Sequence, residues 1–172
     1  MKRINAQACQ LPTVSLLRSY RDQGDYVDCF VTSIHAAVTL EQFVYAFYTT
    51  PLFKLERQIL KSLVAKTSTD AEVQQLAAGS IDNFAAWKVE QRGVNQLLMC
   101  DFKGNTRSWF MVDAPIDTAE TTLYFGSAVV ARTDPGNGQR KMSNRFNALL
   151  GLHKMYSKAL LNAACRRLAK NN

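Results

Sequence analysis

Closely spaced cysteines are missing from this chain. Cys9, Cys29, Cys100 and Cys165 lie far apart with no CxxC pair, which argues against a thiolate zinc site and against a short redox motif. They read as free thiols in a reducing compartment. The chain also has only His35 and His153 and no carboxylates clustered at ligand spacing, so neither a metal nor another cofactor is expected. Neither GxGxxG nor GxxxxGK[ST] occurs, which excludes nucleotide binding through those loops. No apolar run approaches the length of a membrane span, and Asn5, Gln7 and Gln10 interrupt any apolar stretch behind the basic start. The expectation is a soluble, cytoplasmic protein.

Acidic residues disappear from the last part of the sequence. Net charge is +7, from 21 basic and 14 acidic residues. Eight of the basic ones (Arg140, Lys141, Arg145, Lys154, Lys158, Arg166, Arg167 and Lys170) follow Pro135, with no Asp or Glu among them. The remainder is close to neutral. This basic stretch could attract an anionic membrane surface or an acidic partner. Nucleic acid is not the expected partner, because no RNA- or DNA-reading module is recognisable. The plain alternative is a solvated helix face, with cations near the C-terminal end of the helix dipole.

What is present is a single domain of 172 residues, 47% hydrophobic and 20% charged, ample for a core without disulfides. From Ser143, a good N-cap, to Lys170 the sequence has helical periodicity. Phe146, Leu149, Leu150, His153, Tyr156, Ser157, Leu160, Leu161, Ala164 and Leu168 share one face of that helix. His153 and Ser157 are a polar pair one turn apart on this otherwise apolar face, where they must be satisfied locally or meet a cavity.

Residues 1–22 read as an irregular extension or a short helix. Asp25 to Ser33 is rich in Val, Phe, Tyr and Thr and reads as a first strand, with Asp28 inside it. Thr39 and Gln42 have capping-box spacing for a helix through Val44, Phe47 and Tyr48. Pro51 breaks it and starts a second helix through Leu52, Leu55, Ile59, Leu60 and Leu63. A short helix from Asp70 to Ala78 ends at Gly79. Strands are then expected at 84–92, 96–102, 106–113 and 121–132, separated by turns at Gly93-Val94-Asn95 and Lys103-Gly104-Asn105 and by a loop from Pro115 to Ala119. Gly126 marks a bulge or a close approach to the backbone. The turn signal Pro135-Gly136-Asn137-Gly138 leads into the terminal helix. One long helix covering an antiparallel meander is an α+β arrangement.

Tyr26 and Asp28 in YVDCF, Pro51-Leu-Phe-Lys-Leu-Glu-Arg57, Arg107-Ser-Trp-Phe110, Tyr124-Phe-Gly-Ser-Ala-Val129 and His153-Lys-Met-Tyr-Ser157 give the chain, from Asp25 onward, a resemblance to a known family. It is similar to a bacterial family of uncharacterised proteins in the START and birch-pollen-allergen (SRPBCC) superfamily. The resemblance implies a helix-grip fold, a curved antiparallel sheet wrapped around a long C-terminal helix with a broken helix pair after the first strand. It also implies a cavity between sheet and helix for a lipid or other apolar molecule. The family offers no established reaction. About five strands are legible where the full fold has seven.

In such a cavity, the candidate ligand-binding residues are Asp28, Trp87, Arg107, Trp109, Tyr124, His153 and Ser157. Trp87, Trp109 and Tyr124, on three strands, could line one concave face or simply be core. Arg107 could meet an anionic head group or Asp28, or lie on the outer face, since one slip in register moves it across the sheet. If Asp28 and His153 met, the carboxylate would fix the imidazole tautomer and create an oriented base. No catalytic residue is assigned. Ser127 lacks the glycine pattern of a hydrolase nucleophile and lies in a strand. Three functions remain open: binding a small, mostly apolar ligand; isomerase-, cyclase- or hydrolase-like chemistry in the same pocket; or a non-catalytic interaction through the basic helix. The chain is expected to act as a monomer or homodimer.

Overall fold

The computed structural model describes residues 5–54, 69–114, 119–133, 136, 140–141 and 144–171. The element order is β1 (Gln7–Ala8), α1 (Arg18–Asp22), β2 (Tyr26–Ile34), α2 (Leu40–Tyr48), α3 (Asp70–Ala77), β3 (Asn83–Phe84), β4 (Trp87–Gly93), β5 (Gln96–Asp101), β6 (Thr106–Asp113), β7 (Thr121–Val129), β8 (Arg132–Thr133), β9 (Arg140–Lys141) and α4 (Asn144–Asn171). The strands β1 to β7 form one curved antiparallel sheet in the order β1-β2-β7-β6-β5-β4-β3, with the long helix α4 against it. The fold is therefore α+β, and the sheet has seven strands rather than the five legible in the sequence.

Local chemistry explains most boundaries. Thr39 Oγ1 accepts from the Gln42 amide and the Gln42 side chain accepts from the Thr39 amide, the reciprocal box expected. Thr69 and Glu72 make the same box at the start of α3. That helix gives way at Gly79, whose φ of +79° is the left-handed conformation in which glycine carries no Cβ penalty. After α2 the chain turns at Thr49 and Thr50 and resumes helical geometry at 51–54. Leu55, Ile59, Leu60 and Leu63 of the expected second helix lie outside the described residues, as do Ser143 and most of the loop at 115–119.

Two expectations are corrected. The turn at 135–138 does not lead directly into the terminal helix, because β8 and β9 pair on either side of it as a separate two-stranded sheet. The strand expected from Phe84 is two strands: Phe84 pairs with Trp87 across a turn at Ala85 and Ala86. Ala85 has φ +53°, a conformation normally left to Gly or Asn, so the turn carries no signature in its composition.

Strand alternation gives the sheet two buried faces. On the inner face, Phe30, Leu97, Phe110, Leu123 and Phe125 meet Phe43, Phe47 and Tyr48 of α2 and Leu160, Leu161, Ala164, Cys165 and Leu168 of the terminal helix. Phe47 is central, with its ring centroid 4.8 Å from Phe110 and 4.6 Å from Phe125. On the outer face, Cys29, Leu98, Trp109, Met111 and Ala128 are covered by the N-terminal segment through Leu17, with Leu11, Leu16 and Tyr20 around it. Gln96 clips this cover in place: its Oε1 accepts from Trp109 Nε1 at 2.8 Å and from the Leu16 amide at 3.1 Å, and its Nε2 donates to the Val14 carbonyl at 3.0 Å.

Candidate functional site

The β2–β7 register sets Asp28 directly opposite Ser127, both on the inner face of the sheet. Tyr26, two residues earlier on β2, points to the same side, and His153 of α4 comes down on the pair. Asp28 Oδ1 accepts from the Ser127 hydroxyl at 2.7 Å and from the Ser127 amide at 3.0 Å. The Tyr26 hydroxyl donates to Oδ2 at 3.0 Å. His153 Nε2 stands 2.8 Å from Ser127 Oγ and 3.5 Å from Asp28 Oδ2. The Tyr26 and His153 rings meet edge to face, with centroids 6.3 Å apart.

The Asp28 side chain is 7% exposed and the His153 side chain 29% exposed, so a buried carboxylate lies beneath a half-open imidazole. Burial alone would raise the Asp28 pKa, but the hydrogen bonds from His153, Ser127 and Tyr26 outweigh it and hold the carboxyl below its usual range. For Tyr26 the effects add: burial and the neighbouring carboxylate both push its phenol up, so it remains a donor. Because the ionised carboxylate only accepts, the single Ser127 proton goes to Asp28, and the Ser127 oxygen is left to accept from His153 Nε2–H.

This arrangement differs from a nucleophilic triad, in which carboxylate and hydroxyl sit on opposite imidazole nitrogens. Here both approach Nε2. Ser127 is thus a link between acid and imidazole. The cluster can bind and orient a polar group through its partly exposed imidazole.

No match to this chain is found among protein-family models, curated proteins or solved structures.

The other candidate residues divide among separate places. Ser157, one turn beyond His153, is buried on the inner face of α4. Trp87 is half-buried against the inner core on β4 and lines a separate recess of about 240 Å³ with Cys100 and Asp101. Trp109 and Tyr124 belong to the outer face. The three aromatic residues therefore do not line one concave wall, because Trp109 and Tyr124 have the opposite strand parity to the inward Phe110 and Phe125. Arg107 is also outward. It pairs with Glu90 at 2.7 Å and donates to the Tyr20 hydroxyl at 2.8 Å, far from any contact with Asp28. Burial and the hydrogen bond to Glu90 push the Tyr20 phenol up to about 12.

Between sheet and terminal helix, the described interior is occupied by Phe43, Phe47, Tyr48, Phe110 and Phe125, each no more than 5% exposed. An open groove lies beside it. β1 pairs with only the middle of β2, and where the chain leaves after Cys9 a groove of about 410 Å³ opens along Tyr26, Val27 and Asp28. Leu11 and Phe30 contribute apolar wall, while Arg21 and Lys154 bring cationic groups. Lys154 Nζ stands 6.0 Å from the centre of the Tyr26 ring. Sequence reasoning passed over Tyr26, Ser127, Arg21 and Lys154 as site residues. Ser127 could have been found only by knowing which residue of β7 faces Asp28.

Proposed function

We propose that this chain is a cytoplasmic helix-grip protein of the START and birch-pollen-allergen superfamily that binds a small, mostly apolar molecule with a polar or anionic end. The observation that carries this reading is the convergence of Asp28, Ser127, Tyr26 and His153, from two strands and the terminal helix, in a cluster whose Tyr26 and Asp28 line the 410 Å³ groove. A mixed site of this kind, apolar walls with a few converging polar groups, is what small-molecule recognition requires. Because aromatic side chains occupy the described interior beneath the helix, the binding position is assigned to the groove and its polar end. Arg21 and Lys154 favour an anionic head, and Leu11, Val27 and Phe30 favour an apolar body.

A suitable probe is 1-anilinonaphthalene-8-sulfonate, which has an apolar ring system and a sulfonate. Saturable fluorescence enhancement by the folded protein, weakened at least about tenfold in Lys154→Ala and in His153→Ala with unchanged circular dichroism, is the expected result. Binding that survives both substitutions overturns the assignment. Native mass spectrometry of freshly purified protein would identify a resident molecule directly.

A second reading, acid–base chemistry at the same place, is favoured by the partly exposed His153 beside the Asp28 carboxylate. It would be marked by a turnover whose pH profile follows one ionisation and is lost in His153→Gln.

A further inference from the structure

Cys9 and Cys29 are distant in sequence but neighbours across the sheet edge. The pairing of Gln7 with Val31 and Ala8 with Phe30 brings Cys9 opposite Cys29, and the Cys9 amide donates to the Cys29 carbonyl at 3.0 Å. Their sulfur atoms are 3.1 Å apart, and both are free thiols. The two lie just beyond the β1–β2 ladder, and facing residues of antiparallel strands stand about 4.5–5.5 Å apart at Cα, inside the span a disulfide bridges. Cys29 is buried, whereas Cys9 is partly exposed and both line the groove beside Asp28. Cys100 and Cys165 are buried elsewhere.

We propose that Cys9 and Cys29 form a peroxide-oxidisable dithiol, a modification site in which Cys9 is attacked first and Cys29 resolves it into a disulfide. Cys9 sulfur attacks one oxygen of hydrogen peroxide; the O–O bond breaks, one water leaves and Cys9 becomes a sulfenic acid. Cys29 sulfur then attacks Cys9 sulfur; the S–O bond breaks, and the hydroxyl leaves as a second water with the Cys29 proton. Peroxide is reduced by two electrons, and two thiols become one disulfide.

The division of roles follows from the surroundings. Cys9 is partly exposed and reachable from the groove, whereas Cys29 is buried behind it, so peroxide meets Cys9 first. The Cys9 contact and burial push the Cys29 thiol up, which suits the resolving role. The product would staple the N-terminal cover to β2 beside the polar cluster. This site does not depend on the ligand-binding reading.

The test is treatment of the reduced full chain with hydrogen peroxide, followed by maleimide labelling and mass spectrometry of an unreduced digest. The expected result is loss of labelling at Cys9 and Cys29 together, a linked peptide containing both, and full recovery on adding dithiothreitol, with Cys100 and Cys165 unaffected. Cys9→Ser should remove the rapid phase of thiol loss. Cys29→Ala should leave Cys9 as a sulfenic acid trapped by dimedone. Thiol loss without the linked peptide, or unchanged oxidation of Cys29 in Cys9→Ser, would overturn the proposal.

Discussion

Asp28 is a carboxylate whose hydrogen-bonding capacity is largely filled by its neighbours: two donors from Ser127, one from Tyr26 and the His153 imidazole alongside. An amide in its place keeps one oxygen for the two Ser127 donors but sets an NH2 group where the Tyr26 hydroxyl donates, and it removes the charge beside His153. Asp28→Asn is therefore expected to cost about 1–3 kcal/mol at neutral pH, measured by urea denaturation. The sign of its pH dependence follows from the depressed carboxyl pKa. Stability from this group is fully present above the ordinary carboxylate pKa, about 3.9 in an unfolded chain, and drains away as pH falls through the lower folded value. The gap between wild type and Asp28→Asn should accordingly narrow below about pH 4. A gap that stayed constant to the acid limit would mean that the charge of Asp28 contributes nothing to folding. At this scale the sequence was informative in part. Asp28 in a strand and His153 on an apolar helix face could be singled out, and they meet. Ser127 was set aside because its flanking residues lack the features of a nucleophile. That judgement concerned the wrong property, since its place depends on a partner far away in sequence, and the structure uses it as a bridge.

Among the elements, β7 is the most constrained, running between β2 and β6 with both of its faces covered. Gly126 was expected at a bulge or a close approach, and it is the second. Its register with Cys29 and Trp109 is unbroken, but a Cβ there would stand 2.7 Å from the Asp28 carbonyl oxygen, 2.9 Å from Leu17 Cδ1 and 3.1 Å from Trp109 Cε3. Gly126→Ala should therefore cost about 1–3 kcal/mol through overpacking, visible as a lower urea midpoint with an unchanged slope. A neutral substitution would show that Leu17 and the N-terminal cover give way freely. The longer strands and helices were legible because amphipathic spacing and capping residues are local. The strands β1 and β3 have two residues each, too few to show any alternation. Parity was harder still. Which of Trp109 and Phe110 faces the helices depends on one residue of register, and the large aromatic side chains of both suit either face.

For the molecule as a whole, charge and shape separate. The terminal helix buries Leu160, Leu161, Ala164, Cys165 and Leu168, yet nearer its start Leu152 is 64% and Met155 70% exposed, interleaved with Lys154. Among the described residues no helix is long and apolar enough to cross a membrane. An association of this face with an anionic lipid surface through Lys154 and Lys158 should weaken steeply with added salt and disappear when both are changed to Gln, as read by vesicle co-sedimentation. Salt-insensitive co-sedimentation would exclude the face as an electrostatic docking surface.

The pairing of β2 with β7 joins residues 99 positions apart at the Asp28–Ser127 bond, whereas β4, β5 and β6 pair with their immediate successors. During synthesis β2 emerges long before β7, so apart from its two-residue pairing with β1 its long edge must wait until Val129 has emerged. Closing so long a loop is entropically late and slow. The polar cluster at Asp28 is therefore assembled only when nearly the whole chain is available, and a nascent chain arrested before β7 contains no part of the site in working order.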